Sequence, residues 1–323
     1  MRRSTLVFLV SMFAMYLVLD TLRPKPCCHR QAEQRSNEDS CVSDADEHVE
    51  PATIEDRAVV GQLVEQAAQL LKEGKTAKMA DLIQQLDIGR CELQIPEPTA
   101  MADNLVDVYA RGKHGVVVVG GLYTCKNCGK FHATVASGFV LTATGAVVTN
   151  YHVVNHREAE ALVVMTDRRE VLPVRRILAA NQTDDVAILK VDAEGLTPLP
   201  VAAALDAAPV GSPVGVISHP AERFYCYTSG VVSRYSMNQL AEQKADTVWI
   251  TADFARGSSG APVLNPKGQV VAVVRSTESI YHGGGAGQRN NLQMIFKTCT
   301  PTANLYGLFG SQTWAVPRRD KTM

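Results

Sequence analysis

The hydrophobic pattern changes character several times along the 323 residues. After Met1-Arg2-Arg3, an apolar stretch runs from Leu6 to Leu19, interrupted only by Ser11 and closed by Asp20. A basic start followed by an apolar run marks an export segment. No small-x-small pattern follows it, and the run is shorter than the roughly 20 residues that span a bilayer. Residues 1–22 are therefore either a signal peptide or a signal anchor, the latter holding the chain to a membrane through residues 5–22. Residues 23–53 are polar and acidic, with Asn37-Glu38-Asp39 and Asp44-Ala45-Asp46-Glu47, too poor in apolar side chains to fold alone. That stretch reads as a linker. From 54 to 95 the period turns helical: Val59, Val60, Leu63, Ala67, Leu70 and Leu71 form one stripe, Gly74-Lys75-Thr76 breaks it, and Met79, Leu82, Ile83 and Leu86 form another. The pattern predicts an αα-hairpin packed as a spacer on the main domain, with a regulatory or partner-binding role as the alternative.

Past Pro96-Glu97-Pro98 the pattern shifts to short β-branched runs punctuated by Gly, Asn, Asp and Pro. They include Val116–Val119, Ala133–Leu141, Ala146–Asn150, Leu162–Thr166, Val186–Val191, Val214–Ile217, Gly230–Ser233, Val248–Ala252, Ala261–Leu264 and Val270–Val274. Strands at this spacing without long intervening helices imply an all-β main domain over 106–310, an antiparallel barrel or sandwich, followed by a tail at 311–323. Charge narrows the function: 32 basic against 33 acidic residues leave a formal net charge of −1. That balance offers no cationic excess for a phosphate backbone, so nucleic acid is not an expected partner.

Three segments carry candidate chemistry. Arg256-Gly257-Ser258-Ser259-Gly260-Ala261-Pro262 lies in a turn between apolar runs, where a serine flanked by glycines can present its hydroxyl. The amides of Gly257 and Ser259 can then serve as an oxyanion hole. A serine needs a base, and Thr149-Asn150-Tyr151-His152-Val153-Val154 places His152 directly after a strand. An imidazole in that role needs a carboxylate to set its tautomer. Thr183-Asp184-Asp185-Val186-Ala187-Ile188-Leu189-Lys190 supplies Asp185, with Asp184 as a neighbouring competitor.

In the order His, Asp, Ser, these segments resemble the chymotrypsin-like serine proteases, and within them the bacterial high-temperature-requirement (HtrA or Deg) group. Further matching stretches are Ala136-Ser137-Gly138-Phe139-Val140, Gly215-Val216-Ile217-Ser218-His219-Pro220, Thr228-Ser229-Gly230-Val231-Val232-Ser233 and Gly268-Gln269-Val270-Val271-Ala272-Val273, so the likeness covers about Val106 to Phe309. The resemblance implies a trypsin-like double six-stranded antiparallel β-barrel with the triad His152, Asp185 and Ser259 in the cleft between barrels. It implies a serine endopeptidase acting on polypeptides through an acyl-enzyme, with no cofactor required, in a periplasmic, cell-envelope or extracellular setting. Two departures stand out. Ser258 and Ala261 occupy positions where that group usually has Asn and Gly, and no sequence remains after Phe309 for a peptide-binding PDZ domain. Asp253, six residues before Ser259, is at the position that lines the base of the specificity pocket in trypsin-like enzymes. It is a candidate substrate-binding residue for a basic P1 side chain, as is Ser276, with a plain surface carboxylate the competing reading of Asp253.

Other residues invite other chemistries. Cys125-Lys126-Asn127-Cys128-Gly129-Lys130-Phe131-His132 has the spacing of a metal knuckle, and Cys125, Cys128 and His132 are candidate ligands for a structural zinc. Three ligands do not close such a site, so Cys226 or Cys299 would have to complete it, and a disulfide is the rival reading in an exported chain. His152-Val153-Val154-Asn155-His156 lacks the glutamate of a metalloprotease helix. His219 is expected to cap a turn near the cleft, His114 and His282 to be solvated, and Gly283-Gly284-Gly285 to be a loop rather than a phosphate cradle. Two alternative functions remain: a catalytically silent protease-fold protein that binds peptide as a scaffold, and a thiol-disulfide oxidoreductase built on Cys125 and Cys128. The intact triad opposes the first, and the all-β surroundings oppose the second.

Overall fold

The computed structural model describes residues 53–202, 208–240, 243–282, 290–309 and Gln312. The export segment 1–22, nearly all of the linker 23–53, Gly283–Gly285 and all of the tail except Gln312 lie outside the described residues. Among the described residues no helix is long and apolar enough to cross a membrane.

Among the described residues, twelve strands close into two antiparallel barrels. The first contains β1 (Val116–Thr124), β2 (Phe131–Val140), β3 (Ala146–Thr149), β4 (Ala161–Met165), β5 (Val171–Asn181) and β6 (Val186–Val191), in the order β1-β2-β3-β6-β5-β4. It closes because β1 also pairs with β4, Val119 facing Val164. The second contains β7 (Pro213–Ser218), β8 (Cys226–Leu240), β9 (Gln243–Ile250), β10 (Pro262–Leu264), β11 (Val270–Tyr281) and β12 (Leu292–Pro301), in the order β10-β11-β12-β9-β8-β7. Pairing of Val263 with Val216 closes it. Closure removes the unpaired edges that a strand-rich chain would otherwise expose.

β5 and β12 were not among the strand-like runs, and the reason is local. Pro173 cannot donate to a ladder. It faces Val163 on one side, while the ladder to β6 begins only at Val174 and shifts register before Arg176 and again before Ala179. Those irregularities turn Arg175 and Arg176 outward and hide the alternation. In β12 the outer half, Leu292 to Ile295, is exposed, and only its last residues enter the core.

The helical region keeps one long arm. Helix α1 (Asp56–Lys72) buries Val59, Leu63 and Ala67 against Val118, Leu122, Val163 and Met165 of the first barrel. Its approach is close: a Cβ on Gly120 of β1 would lie 3.2 Å from both methyls of Leu63. The second arm is only α2 (Met79–Gln84) with a single 3-10 turn at Gln85–Asp87. Its stripe ends at Leu86, and the chain then runs along the barrel edge, with Gln85 Oε1 accepting from Ile177 N at 2.7 Å and Ile88 O accepting from Ala180 N at 2.7 Å. Helix α3 (Leu105–Gly112), absent from the expectations, starts at Asn104, whose Oδ1 accepts from the amides of Val106 and Asp107. Its Val108 joins Phe139, Ile188, Ile217, Leu264, Leu305 and Phe309 in a cluster drawn from both barrels. That shared core holds the barrels in register, and with them the cleft.

Candidate active site

The last strand residues of β3 lead into a single helical turn, α4 (Tyr151–Val154), which carries His152. Asp185 occupies the turn before β6 at φ +53°, a left-handed conformation that Asp tolerates better than most residues. That turn aims its carboxylate at His152. Oδ1 accepts from the His152 amide at 3.0 Å, and Oδ2 lies 2.8 Å from Nδ1. Asn150 Nδ2 donates to the Asp185 carbonyl at 2.7 Å, bracing the turn from β3. On the far side of the ring, Nε2 lies 3.1 Å from Ser259 Oγ, which the second barrel contributes between β9 and β10. The Asp185 side chain is 12% exposed and that of His152 is 52% exposed, so the line runs from interior to cleft. With the carboxylate at Nδ1, the favoured tautomer leaves Nε2 free to accept the serine proton.

The competitor Asp184 points elsewhere. Its Oδ1 accepts from Asn304 Nδ2 at 2.7 Å, and its carbonyl from Thr300 Oγ1 at 2.6 Å. Burial raises its pKa.

The loop before Ser259 is held carbonyl by carbonyl. Arg256 O accepts from Ala221 N at 2.6 Å, and Gly257 O from Ser137 Oγ at 2.9 Å. Ser258 O accepts from Ala261 N at 3.0 Å, and Ser259 O from Ser137 N at 2.9 Å. In a trans peptide the N–H points opposite to the carbonyl of the same unit. Tying down the carbonyls of Arg256 and Ser258 therefore orients the amides of Gly257 and Ser259, neither of which donates to another described group. Gly257 is at φ +97°, and a Cβ there would meet His219 O at 2.4 Å, so this position requires glycine. Ser258 stands where an Asn was expected from the resemblance. Its fully buried Oγ accepts from Ser218 Oγ at 2.9 Å.

Several of these supports escape sequence reasoning. Ser137 belongs to β2 of the first barrel but serves the loop of the second. Ala221 is in a turn with three non-glycine residues at positive φ, Ala221, Glu222 and Tyr225. That turn is in turn fastened to α1, where Asp56 Oδ1 accepts from Phe224 N at 3.0 Å. Arg275 Nε stands 3.9 Å from Asp185 Oδ2 and its side chain donates to Thr183 O at 3.1 Å. None of these contacts has a local sequence signal, because each partner is distant along the chain.

The remaining candidates fall as follows. The Asp253 side chain is 82% exposed and its Oδ1 lies 2.7 Å from Lys297 Nζ, whose own side chain is only 11% exposed. A lysine thus stands beside this exposed carboxylate and neutralises it. Ser276 Oγ is 2.8 Å from Thr298 Oγ1 across β11 and β12. His219 is wholly buried, its Nδ1 accepting from Tyr225 N at 3.1 Å, and burial pushes its pKa down to about 4. His114 Nδ1 sits 2.5 Å from Asp167 Oδ2, and so is paired rather than merely solvated. Ligand atoms of Cys125, Cys128 and His132 all lie within 4.8 Å of one another at the tip of the β1–β2 hairpin. Cys226 and Cys299 do not join them: Cys226 opens β8, and Cys299 is buried in the second barrel's core. The described cysteines Cys91, Cys125, Cys128, Cys226 and Cys299 are free thiols.

Two closed barrels with such a site between them define a trypsin-like fold, and residues 136–273 match the family model of the trypsin-like peptidase domain. The chain is 32% identical over 140 residues to a "Probable periplasmic serine endoprotease DegP-like" of Ectopseudomonas mendocina (strain ymp), covering 43% of this chain and 29% of that protein. It is also 32% identical over 156 residues to "Protease Do-like 1, chloroplastic" of Arabidopsis thaliana, covering 46% of this chain and 34% of that one. The matched region thus spans about a third of the length of these relatives. Among solved structures, "HtrA-type protease AlgW with tripeptide" aligns over 61% of this chain and 59% of its own, at 18% identity and a TM-score of 0.47, too distant to transfer residue roles.

Proposed function

We propose that the chain is an exported serine endopeptidase that cleaves polypeptides through Ser259, His152 and Asp185. The observation supporting this reading is the continuous line Asp185 Oδ2 to His152 Nδ1 at 2.8 Å and His152 Nε2 to Ser259 Oγ at 3.1 Å. Ser259 Oγ attacks the scissile carbonyl as His152 Nε2 takes its proton, and Asp185 stabilises the imidazolium. The oxyanion that forms receives hydrogen bonds from Gly257 N and Ser259 N, donors that matter most in the transition state. His152 then protonates the leaving amine, and water, deprotonated by the same ring, releases the acyl group. No step calls for a cofactor. Export is supported by the Met1-Arg2-Arg3 start with its apolar run and by relatives named as periplasmic; cleaved and anchored forms both fit.

A fluorophosphonate probe together with hydrolysis of an unfolded protein tests the assignment. Wild-type protein should label and cleave, and Ser259→Ala should do neither, with turnover falling by roughly 10^6. Undiminished cleavage by Ser259→Ala would eliminate the nucleophile. Folded wild type that neither labels nor cleaves would favour the peptide-binding scaffold.

A further inference from the structure

We propose that the tip of the β1–β2 hairpin is a metal site, in which Cys125, Cys128 and His132 hold one thiophilic divalent cation of the zinc class with a fourth position open to water. The hairpin ladder runs regularly up to Thr124 paired with Phe131, and the six residues between them form the turn. Within it Gly129 N donates to Cys125 O at 2.8 Å, and Cys125 N to Lys130 O at 2.9 Å. Gly129 is at φ +67° with nothing within 4 Å of where a Cβ would stand, so its glycine serves backbone conformation rather than packing. This curl brings the two sulfurs to the same side. The amides of Cys128 and Asn127 are directed at the Cys125 sulfur.

His132 provides the discriminating observation. It faces Tyr123 in the ladder and its ring stacks on that tyrosine, with centroids 6.0 Å apart. The strand thereby carries its Nε2 to 3.3 Å from Cys128 Sγ. A disulfide between the cysteines would need an oxidant and would leave this imidazole without a role, whereas two sulfurs and an imidazole nitrogen are a zinc-type donor set with one vacant corner. On binding, the two thiols release their protons to solvent as the metal–sulfur bonds form, and the His132 Nε2 lone pair makes the third bond; nothing is oxidised or reduced. All three donors lie on one hairpin and none of them belongs to the triad, so this assignment does not depend on catalysis.

The test uses the full chain carrying Ser259→Ala, which prevents self-cleavage and separates metal binding from proteolysis. Reduced, metal-stripped protein titrated with cobalt(II) should develop a thiolate-to-cobalt charge-transfer band and four-coordinate ligand-field bands that saturate at one equivalent. Zinc should abolish both. Adding Cys128→Ser or Cys125→Ser should weaken the charge-transfer band and the affinity, His132→Ala should lower the affinity, and Cys91→Ser should change nothing; near-ultraviolet circular dichroism checks that each variant is folded. Absence of the band in reduced, folded protein would overturn the site, as would a band that survives Cys128→Ser unchanged. So would peptide mapping that joins Cys125 to Cys128 in protein which, once reduced, takes up no cobalt.

Discussion

Replacing Ser137 by alanine removes one hydroxyl that serves two buried backbone groups. Its Oγ donates to Gly257 O at 2.9 Å and accepts from His219 N at 3.1 Å, and the residue is fully buried. Alanine fills nearly the same space but satisfies neither group. A buried polar group left unpaired costs about 1–3 kcal/mol, so the pair costs about 2–6 kcal/mol. For a chain of this size each kcal/mol shifts Tm by roughly 2–4 °C, giving a fall of roughly 4–24 °C. The catalytic effect is separable. Freed of its hydroxyl partner, the Gly257 carbonyl lets the loop between the two oxyanion amides relax. Complete loss of one such donor lowers kcat by about 10^2 to 10^3, so a partial misalignment should lower it by about tenfold or more. Because those hydrogen bonds strengthen in the transition state, kcat and kcat/KM should fall together while KM stays near its wild-type value. Thermal unfolding by circular dichroism gives the first number, and peptide kinetics well below the lowered Tm gives the second. A Tm within about 2 °C of wild type together with undiminished kcat would refute the claim that this hydroxyl positions the loop.

Two further outcomes follow from the packing and the buried imidazole. Leu63→Ala, at a side chain with no exposed surface that sits over Gly120, should destabilise the protein by about 2–5 kcal/mol in denaturant unfolding, and a loss indistinguishable from a surface substitution would mean that α1 is not part of the folded domain. His219 is neutral in the fold, with its pKa moved from 6.5 to about 4, so the unfolded chain binds the extra proton between those values. Its contribution is therefore intact above pH 6.5 and is lost as pH falls, reaching roughly 3 kcal/mol near pH 4. Urea unfolding at pH 7 and pH 4.5 should show a steeper acid loss for wild type than for His219→Gln; parallel losses would remove His219 as the cause.

The sequence alone determined the strand-rich domain, the order of the three chemical segments and the position of the glycine turn. Period-2 alternation and turn residues act over a few neighbours, and a strand such as Val186–Val191 announces itself through them. The same local reading singled out His152, Asp185 and Ser259, because each stands in a turn next to such a run. It failed where local signals conflict with distant partners. Pro173, Arg175 and Arg176 hid β5, whose bulges make room for them only once β4 and β6 are in place. Two adjacent carboxylates, Asp184 and Asp185, look alike along the chain; the left-handed turn at Asp185 and the Asn304 side chain at Asp184 send them in different directions. Nothing near Asp253 in sequence reveals Lys297, which the pairing of β9 with β12 brings beside it. What only the tertiary structure decided is the support of the site: Ser137 reaching from one barrel to Gly257 in the other, and Asp56 of α1 fastening the turn that holds Arg256. Hydrophobic periodicity is a property of neighbouring residues, while the direction of an amide or a carboxylate is set by whichever group closes the hydrogen bond from across the fold.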